Sequence, residues 1–235
     1  MAIGALLYTA VGHAGASAYL AIMAFFSVAP DVMKPTALVL NILVASFASW
    51  RFIRADQFDK RLIVPLLAGS LPLAFFGGGL LLSGAIYRPL LALMLMLAAA
   101  RLLWPRPIHA QAQIMRPPSW IAISAGAGIG LLSGLTGTGG GIFLSPIVIF
   151  KGWAEPCRAS GIASVFILLN SVAGLAGNLS SVGRLPHELP YFMGAVALGA
   201  AMGTRLGTSK KLPSGRLLQL LGVVLLIAAA KLAFT

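Results

Sequence analysis

Charge is the scarcest property of this sequence. Only 9% of its 235 residues are charged and 59% are hydrophobic, whereas a soluble domain carries about 25% charged residues. A water-facing surface needs those charges, so most of this surface faces something other than water, and the mean hydropathy of +0.94 agrees. Acidic groups are rarest of all. Asp31, Asp56, Asp59, Glu155 and Glu188 are the whole set, and each falls in a predicted loop or helix end. A carboxylate proton relay at mid-membrane depth therefore has no residues to use. Cysteine occurs once, as Cys157, which excludes an internal disulfide and a cysteine-based metal cluster. Short segments of alternating polarity are missing too, which argues against an outer-membrane barrel. No metal or other cofactor is expected.

What is there comes in blocks. Eight apolar runs occupy residues 1–26, 34–50, 62–82, 88–104, 119–150, 159–179, 189–204 and 217–234. Most are near the length of about 20 residues that crosses a hydrocarbon core about 30 Å thick. The run 1–26 has no Lys or Arg ahead of it and exceeds a signal-peptide core in length, so it is read as a retained helix. The net charge is +12, but the Lys and Arg residues sit mostly between apolar runs. No stretch interleaves basic and aromatic residues as a nucleic-acid surface would. The expected partner is the lipid bilayer, through its head groups, and not nucleic acid. Trp50, Trp104, Trp120 and Trp153 fit an interfacial aromatic belt.

The two halves resemble one another. A glycine-rich stretch opens each, Gly12-His13-Ala14-Gly15-Ala16-Ser17 in one and Gly137-Thr138-Gly139-Gly140-Gly141 in the other. A helix with a central Asn follows, Leu38-Val39-Leu40-Asn41 or Ile167-Leu168-Leu169-Asn170. The offset between matched features stays near 125–130 residues, as in the internal repeats of transporters. The expected architecture is an all-α integral membrane protein of about eight transmembrane helices in two related four-helix repeats with glycine-rich helix breaks. The repeats are residues 1–104 and 119–235, joined by a polar linker, 105–118. Four crossings per half make the repeat parallel, whereas a re-entrant segment would change that. With four crossings per half the basic residues divide nine against eight between the two membrane faces, and the positive-inside rule has no bias to read.

The glycine stretches carry the chemistry. Glycine costs a helix about 1 kcal/mol relative to alanine, so 137–141 is a place for a helix to break. Amides freed there are tolerated only against protein or a polar cavity, and a helix N-terminus so exposed attracts anions. Gly126, Gly130 and Gly134, and likewise Gly199, Gly203 and Gly207, instead form ladders of the kind that lets helices approach closely. A nucleotide loop is excluded, because Gly140 stands where a P-loop needs Lys. The stretch Gly130-Leu-Leu-Ser-Gly-Leu-Thr-Gly-Thr-Gly-Gly-Gly-Ile-Phe-Leu-Ser-Pro146 resembles the signature of the TauE/SafE sulfite exporter family. The first half, from Gly12 to Tyr19 and from Ala37 to Val44, resembles a bacterial subgroup of it. One departure stands out: many members repeat Gly-x-Gly-Gly-Gly in the first half, which here reads His-Ala-Gly-Ala-Ser. The resemblance implies a bacterial inner-membrane transporter that exports, or otherwise translocates, a small sulfur-containing anion such as sulfite or an organosulfonate.

The candidate substrate-binding residues are His13, Ser17, Asn41, Ser133, Thr136, Thr138, Gly139, Gly140, Gly141 and Asn170. His13 is the one group expected inside a span that titrates near neutral pH. Asn41 and Asn170 offer amide donors to an anion, or else tie helices together. Lys34 and Arg158 open their runs and read as anchors at a helix end, or as charges at an entrance. Two other readings stay open. Ser133 with His13 would make an intramembrane serine hydrolase, although Leu-Leu-Ser-Gly lacks the usual Gly-x-Ser-Gly context. A structural membrane subunit is the other. Assembly into a homo-oligomer is compatible with all three.

Overall fold

Backbone groups in hydrocarbon have no water to bond, so an apolar run satisfies them internally, as helix. The computed structural model describes residues 1–10, 13–103, 114–208 and 215–233, and follows this rule throughout. The order is α1 (Ala2–Ala10), α2 (Ala16–Phe25), α3 (Pro30–Arg54), α4 (Lys60–Gly79), α5 (Gly84–Leu103), α6 (Ser119–Thr136), α7 (Gly141–Phe150), α8 (Pro156–Gly177), a 3-10 turn (Leu179–Arg184), α9 (Leu189–Thr208) and α10 (Gly215–Ala233). Among the described residues no strand occurs. Five helices are long and apolar enough to cross a membrane: Pro30–Arg54, Lys60–Gly79, Gly84–Leu103, Ser119–Thr136 and Cys157–Gly177. Gly12, Trp104 and residues 105–113 of the expected linker lie outside the described residues.

The first and fifth apolar runs do not cross as broken rods; each doubles back. Gly4 of α1 faces Ala18 of α2, and Gly15 lies against Tyr8, so the two short helices run antiparallel. Met1 and Phe26 line one groove at the open end of this hairpin. In the second hairpin Gly140 returns onto Ser133 and Ile129. There the amide of Met115, before α6, donates to the carbonyl of Gly152, after α7, at 2.9 Å. Ten residues of helix rise about 15 Å, half the hydrocarbon core, so α2 and α7 are half-span elements.

The two hairpins enter from opposite ends. Close approaches of Gly126 to Leu66, Gly130 to Ser70 and Gly134 to Ala74 show α6 running parallel to α4, away from the end that carries Met115. Approaches of Gly199 to Ala2 and Gly203 to Leu6 show α1 running parallel to α9, away from the end that carries Met1. Asp31 and Arg184, 2.9 Å apart, join the helix ends at the Met1 end, as does Lys231, which donates to the carbonyl of Phe25. At the Met115 end Gly161 abuts Gln57 and Arg116 meets Asp59. Each part of the chain on either side of residues 104–113 thus contributes a hairpin followed by three long helices. The expectation of four crossings per half, and with it a parallel relation, is not confirmed by this arrangement: a hydropathy run has the same length whether it crosses or returns.

The arrangement changes the charge count. Among the basic side chains of the described residues, Arg51, Arg54, Lys60, Arg61, Arg101, Arg116, Lys151, Arg158 and Arg205 lie toward the Met115 end, and Lys34, Arg88, Arg184 and Lys231 toward the Met1 end.

The packing interior is built on small residues. A Cβ at Gly126, Gly130 or Gly134 would fall on backbone atoms of α4, and one at Gly199 or Gly203 on backbone of α1, so both ladders within the described residues are close-packing seams. One buried cluster joins α2, α3, α5, α9 and α10, and another joins α4, α6, α7 and α8. Outside, Phe47, Val64, Phe76, Leu97, Trp120 and Leu198 are exposed. So many exposed large apolar side chains suit a surface that meets lipid.

Candidate functional site

The tips of the two hairpins meet. Glycine makes the tips: Gly15, Gly137, Gly139 and Gly140 have φ of +89°, +80°, +75° and +79°, a left-handed region that costs other residues about 1–2 kcal/mol. Gly15 is the N-cap of α2 and Gly140 the N-cap of α7. The first amides of a helix find no acceptor within it, and that end carries about half a positive charge. Both N-termini border one small cavity, lined by Tyr8, His13, Ser17, Thr138, Ile142 and Ile167 among others. At about 10 Å³ it holds about one water. His13 Nε2 and Ser145 Oγ, 3.0 Å apart, bridge one hairpin to the other. Tyr19 donates to the carbonyl of Ala14 at 2.7 Å and pins the first tip, while the hydroxyls of Tyr8 and Ser17 bond across the first hairpin.

Beside the second tip lies a group of buried polar atoms that the protein leaves unmatched. Both side-chain polar atoms of Asn41, Ser133 Oγ and Ser171 Oγ have no hydrogen-bond partner. A Cβ on Gly139 would come within 2.9 Å of Asn41 Nδ2 and 3.1 Å of Ser171 Oγ, so this cluster borders the glycine amides. An unmade buried hydrogen bond costs about 1–3 kcal/mol, so the unmatched donors beside this helix N-terminus can serve a group that accepts hydrogen bonds.

The sequence-derived candidates separate accordingly. His13, Ser17 and Thr138 line the cavity, and Asn41 and Ser133 stand unpartnered beside the tip. Thr136 is turned inward on its own helix, donating to the carbonyl of Leu132 at 2.7 Å and sharing a 3.0 Å bond with Thr138. Gly139 and Gly140 form the turn, and Gly141 starts α7 against Ile167. Asn170 differs from its counterpart Asn41: its Nδ2 donates to Ser70 Oγ at 3.1 Å and to the Phe166 carbonyl at 2.8 Å, tying α8 to α4. The Ser133–His13 pair that a hydrolase would need is not formed, since His13 meets Ser145 and Ser133 Oγ meets nothing.

Sequence reasoning missed Ser145, Tyr8 and Ser171, and read Lys34 as an anchor. Ser145 lies four residues after Gly141 and so on the same face of α7, which was the one available signal. Lys34 is only 5% exposed. Among the described residues it is the one charged side chain that is buried. Its ammonium donates to the carbonyls of Gly78 at 2.7 Å, Gly77 at 3.0 Å and Leu80 at 3.1 Å. These carbonyls belong to the end of α4, where helical acceptors run out of donors and the helix dipole favours a cation. Such compensation is what makes a buried charge tolerable.

Opposed hairpins, polar groups gathered where they meet and an apolar exterior define a multi-pass membrane protein of transporter type. The chain belongs to the Sulfite exporter TauE/SafE family, which it matches over residues 1–232. It is 36% identical over 232 residues to a Sinorhizobium fredii protein described as "Probable membrane transporter protein y4hK", covering 97% of this chain and 93% of that one. No solved structure matches it.

Proposed function

We propose that the protein carries a small sulfur-containing anion, such as sulfite or an organosulfonate, across the bacterial inner membrane by alternating access. The substrate is held between the hairpin tips. What supports the reading most is the convergence of two helix N-termini on one cavity, the His13–Ser145 bond that joins the hairpins and the unmatched Asn41, Ser133 and Ser171 beside the second tip. Dipoles and neutral donors, in place of a full charge, suit a cargo that must also leave. In this reading the two hairpin-plus-three-helix halves are inverted repeats. Withdrawing one tip opens the cavity to one face, and withdrawing the other opens it to the opposite face.

The test is uptake of labelled sulfite, thiosulfate and short sulfonates by purified protein in liposomes. A hydrogen bond to a charged group is worth about 1.5–3 kcal/mol, so Asn41→Ala is expected to slow flux about 10- to 100-fold. Asn170→Ala is expected to lower thermal stability by about 1–3 kcal/mol and to leave the substrate KM near wild type. Equal rates for wild type and Asn41→Ala would remove the site. Failure of the wild type to move any member of the panel would remove the function.

Sidedness follows from the charge distribution. Among the described residues, nine basic side chains toward the Met115 end against four toward the Met1 end support a cytoplasmic Met115 end by the positive-inside rule. A reporter that is active only in the cytoplasm, inserted in 104–113, is therefore expected to be active. The same reporter joined ahead of Met1 is expected to be silent, and the reverse pattern would invert the assignment.

A further inference from the structure

A second cavity lies between the Met1 end and the second hairpin tip. It offers about 170 Å³, room for several waters. Its polar lining is Asp31, Lys34, Tyr87, Asn178, Ser181 and Arg184, and leucines of the α4–α5 connection form an apolar wall. Arg184 Nη1 bonds Asp31 Oδ2 at 2.9 Å, which uses one of five guanidinium donors. With Lys34 added, the charges that border the cavity sum to one positive. Asn178 is 1% exposed, and its Oδ1 has no partner. The cavity also touches the tip that serves the central site. Leu135 is in its wall, Tyr87 donates to the carbonyl of Thr136 at 3.1 Å, and Gly137 packs on the backbone of Lys34. One residue further on, Thr138 lines the central cavity. The short stretch 135–138, the end of α6 and the start of its tip, thus separates the two spaces.

We propose that this cavity is a second anion-binding station, held by Arg184 and Lys34, in which a monoanion waits on its way to or from the central site. The inference rests on the transport reading for its purpose but not for its binding chemistry. One net positive charge matches a monoanion, the free guanidinium donors match a head with several acceptor oxygens, and the leucine wall accepts a short apolar tail. An anion here competes with the α4 carbonyls for the Lys34 ammonium. Its arrival therefore loosens the contact between Lys34 and α4 next to the hairpin tip.

The probe is methanesulfonate, titrated calorimetrically into purified full-length protein. Binding is expected to persist in Asn41→Ala and to weaken at least tenfold in Arg184→Gln. Asp31→Asn, which raises the lining to two positive charges, is expected to improve binding of sulfate relative to methanesulfonate. Lys34→Met is expected to weaken binding like Arg184→Gln, and Lys34→Arg to restore it. Because Lys34 also caps α4, the exposed Arg184 variant keeps the test decisive if Lys34→Met fails to fold. No binding to wild type, or binding abolished by Asn41→Ala and untouched by Arg184→Gln, overturns the station. Flux of methanesulfonate is measured separately in liposomes. Binding without flux of any anion would overturn the transport reading and leave the station standing.

Discussion

Gly139→Leu is expected to abolish anion flux in liposomes, by more than 100-fold, while the protein still inserts and runs as a single species in size-exclusion chromatography. The residue sits at φ +75°, so any side chain costs about 1–2 kcal/mol in backbone strain. That alone is survivable. The larger effect is spatial. The first carbon of a side chain would come within 2.8 Å of Ile167 Cγ2, 2.9 Å of Asn41 Nδ2 and 3.1 Å of Ser171 Oγ, all side-chain atoms with some freedom to give. Leucine would therefore occupy the polar niche beside the tip and shield the loop amides without separating any pair of helices. Gly139→Ala is expected to fall between wild type and leucine. Normal flux in the leucine variant would mean that the anion does not pass this tip.

Gly130→Leu is expected to fail at an earlier stage, in folding. A Cβ here would fall on Ser70, 2.6 Å from its Cα and closer still to its carbonyl oxygen. Backbone cannot rotate aside as a side chain can, so α4 and α6 must part. Overpacking of ordinary cores costs about 1–3 kcal/mol, and a backbone-on-backbone contact belongs at or beyond the top of that range. The measurement is the yield of monodisperse protein and its thermal midpoint. The control is on the same helix two residues away: a Cβ on Gly128 meets nothing within 4 Å, and Gly128→Leu is expected to behave as wild type. Equal damage from both would show that leucine disturbs α6 itself and not its contact with α4.

These two glycines show how unevenly the structure could be read from the sequence. The four-residue spacing of Gly126, Gly130 and Gly134 announced a packing seam because spacing is a local property of a helix face. The run 137–141 announced a break for the same reason, through glycine's poor helix propensity. The direction of the chain after the break was not legible. Hydropathy gives residues 119–150 as one long apolar stretch, and long-range contacts such as Met115 with Gly152 and Gly140 with Ser133 reveal a return to the same end. The charge count depends on such contacts in both hairpins. The two asparagines make the same point for the site. Asn41 and Asn170 occupy like positions after similar apolar triplets, yet Asn170 bonds Ser70, 100 residues away in sequence, and Asn41 bonds nothing. Lys34 looked like an anchor because a lysine near the start of an apolar run usually is one. Its burial depends on the end of α4 arriving above it.

The meeting of α2 and α7 has a further thermodynamic side. Two helices present like poles to each other across about 10 Å³, and their like partial charges repel. Whatever negative guest settles between them relieves that repulsion. The loaded form should accordingly melt at a higher temperature than the vacant one. The tightening should scale with the guest's charge more than with its shape, so even anions too large to be carried would stiffen the centre of the molecule if they reached it.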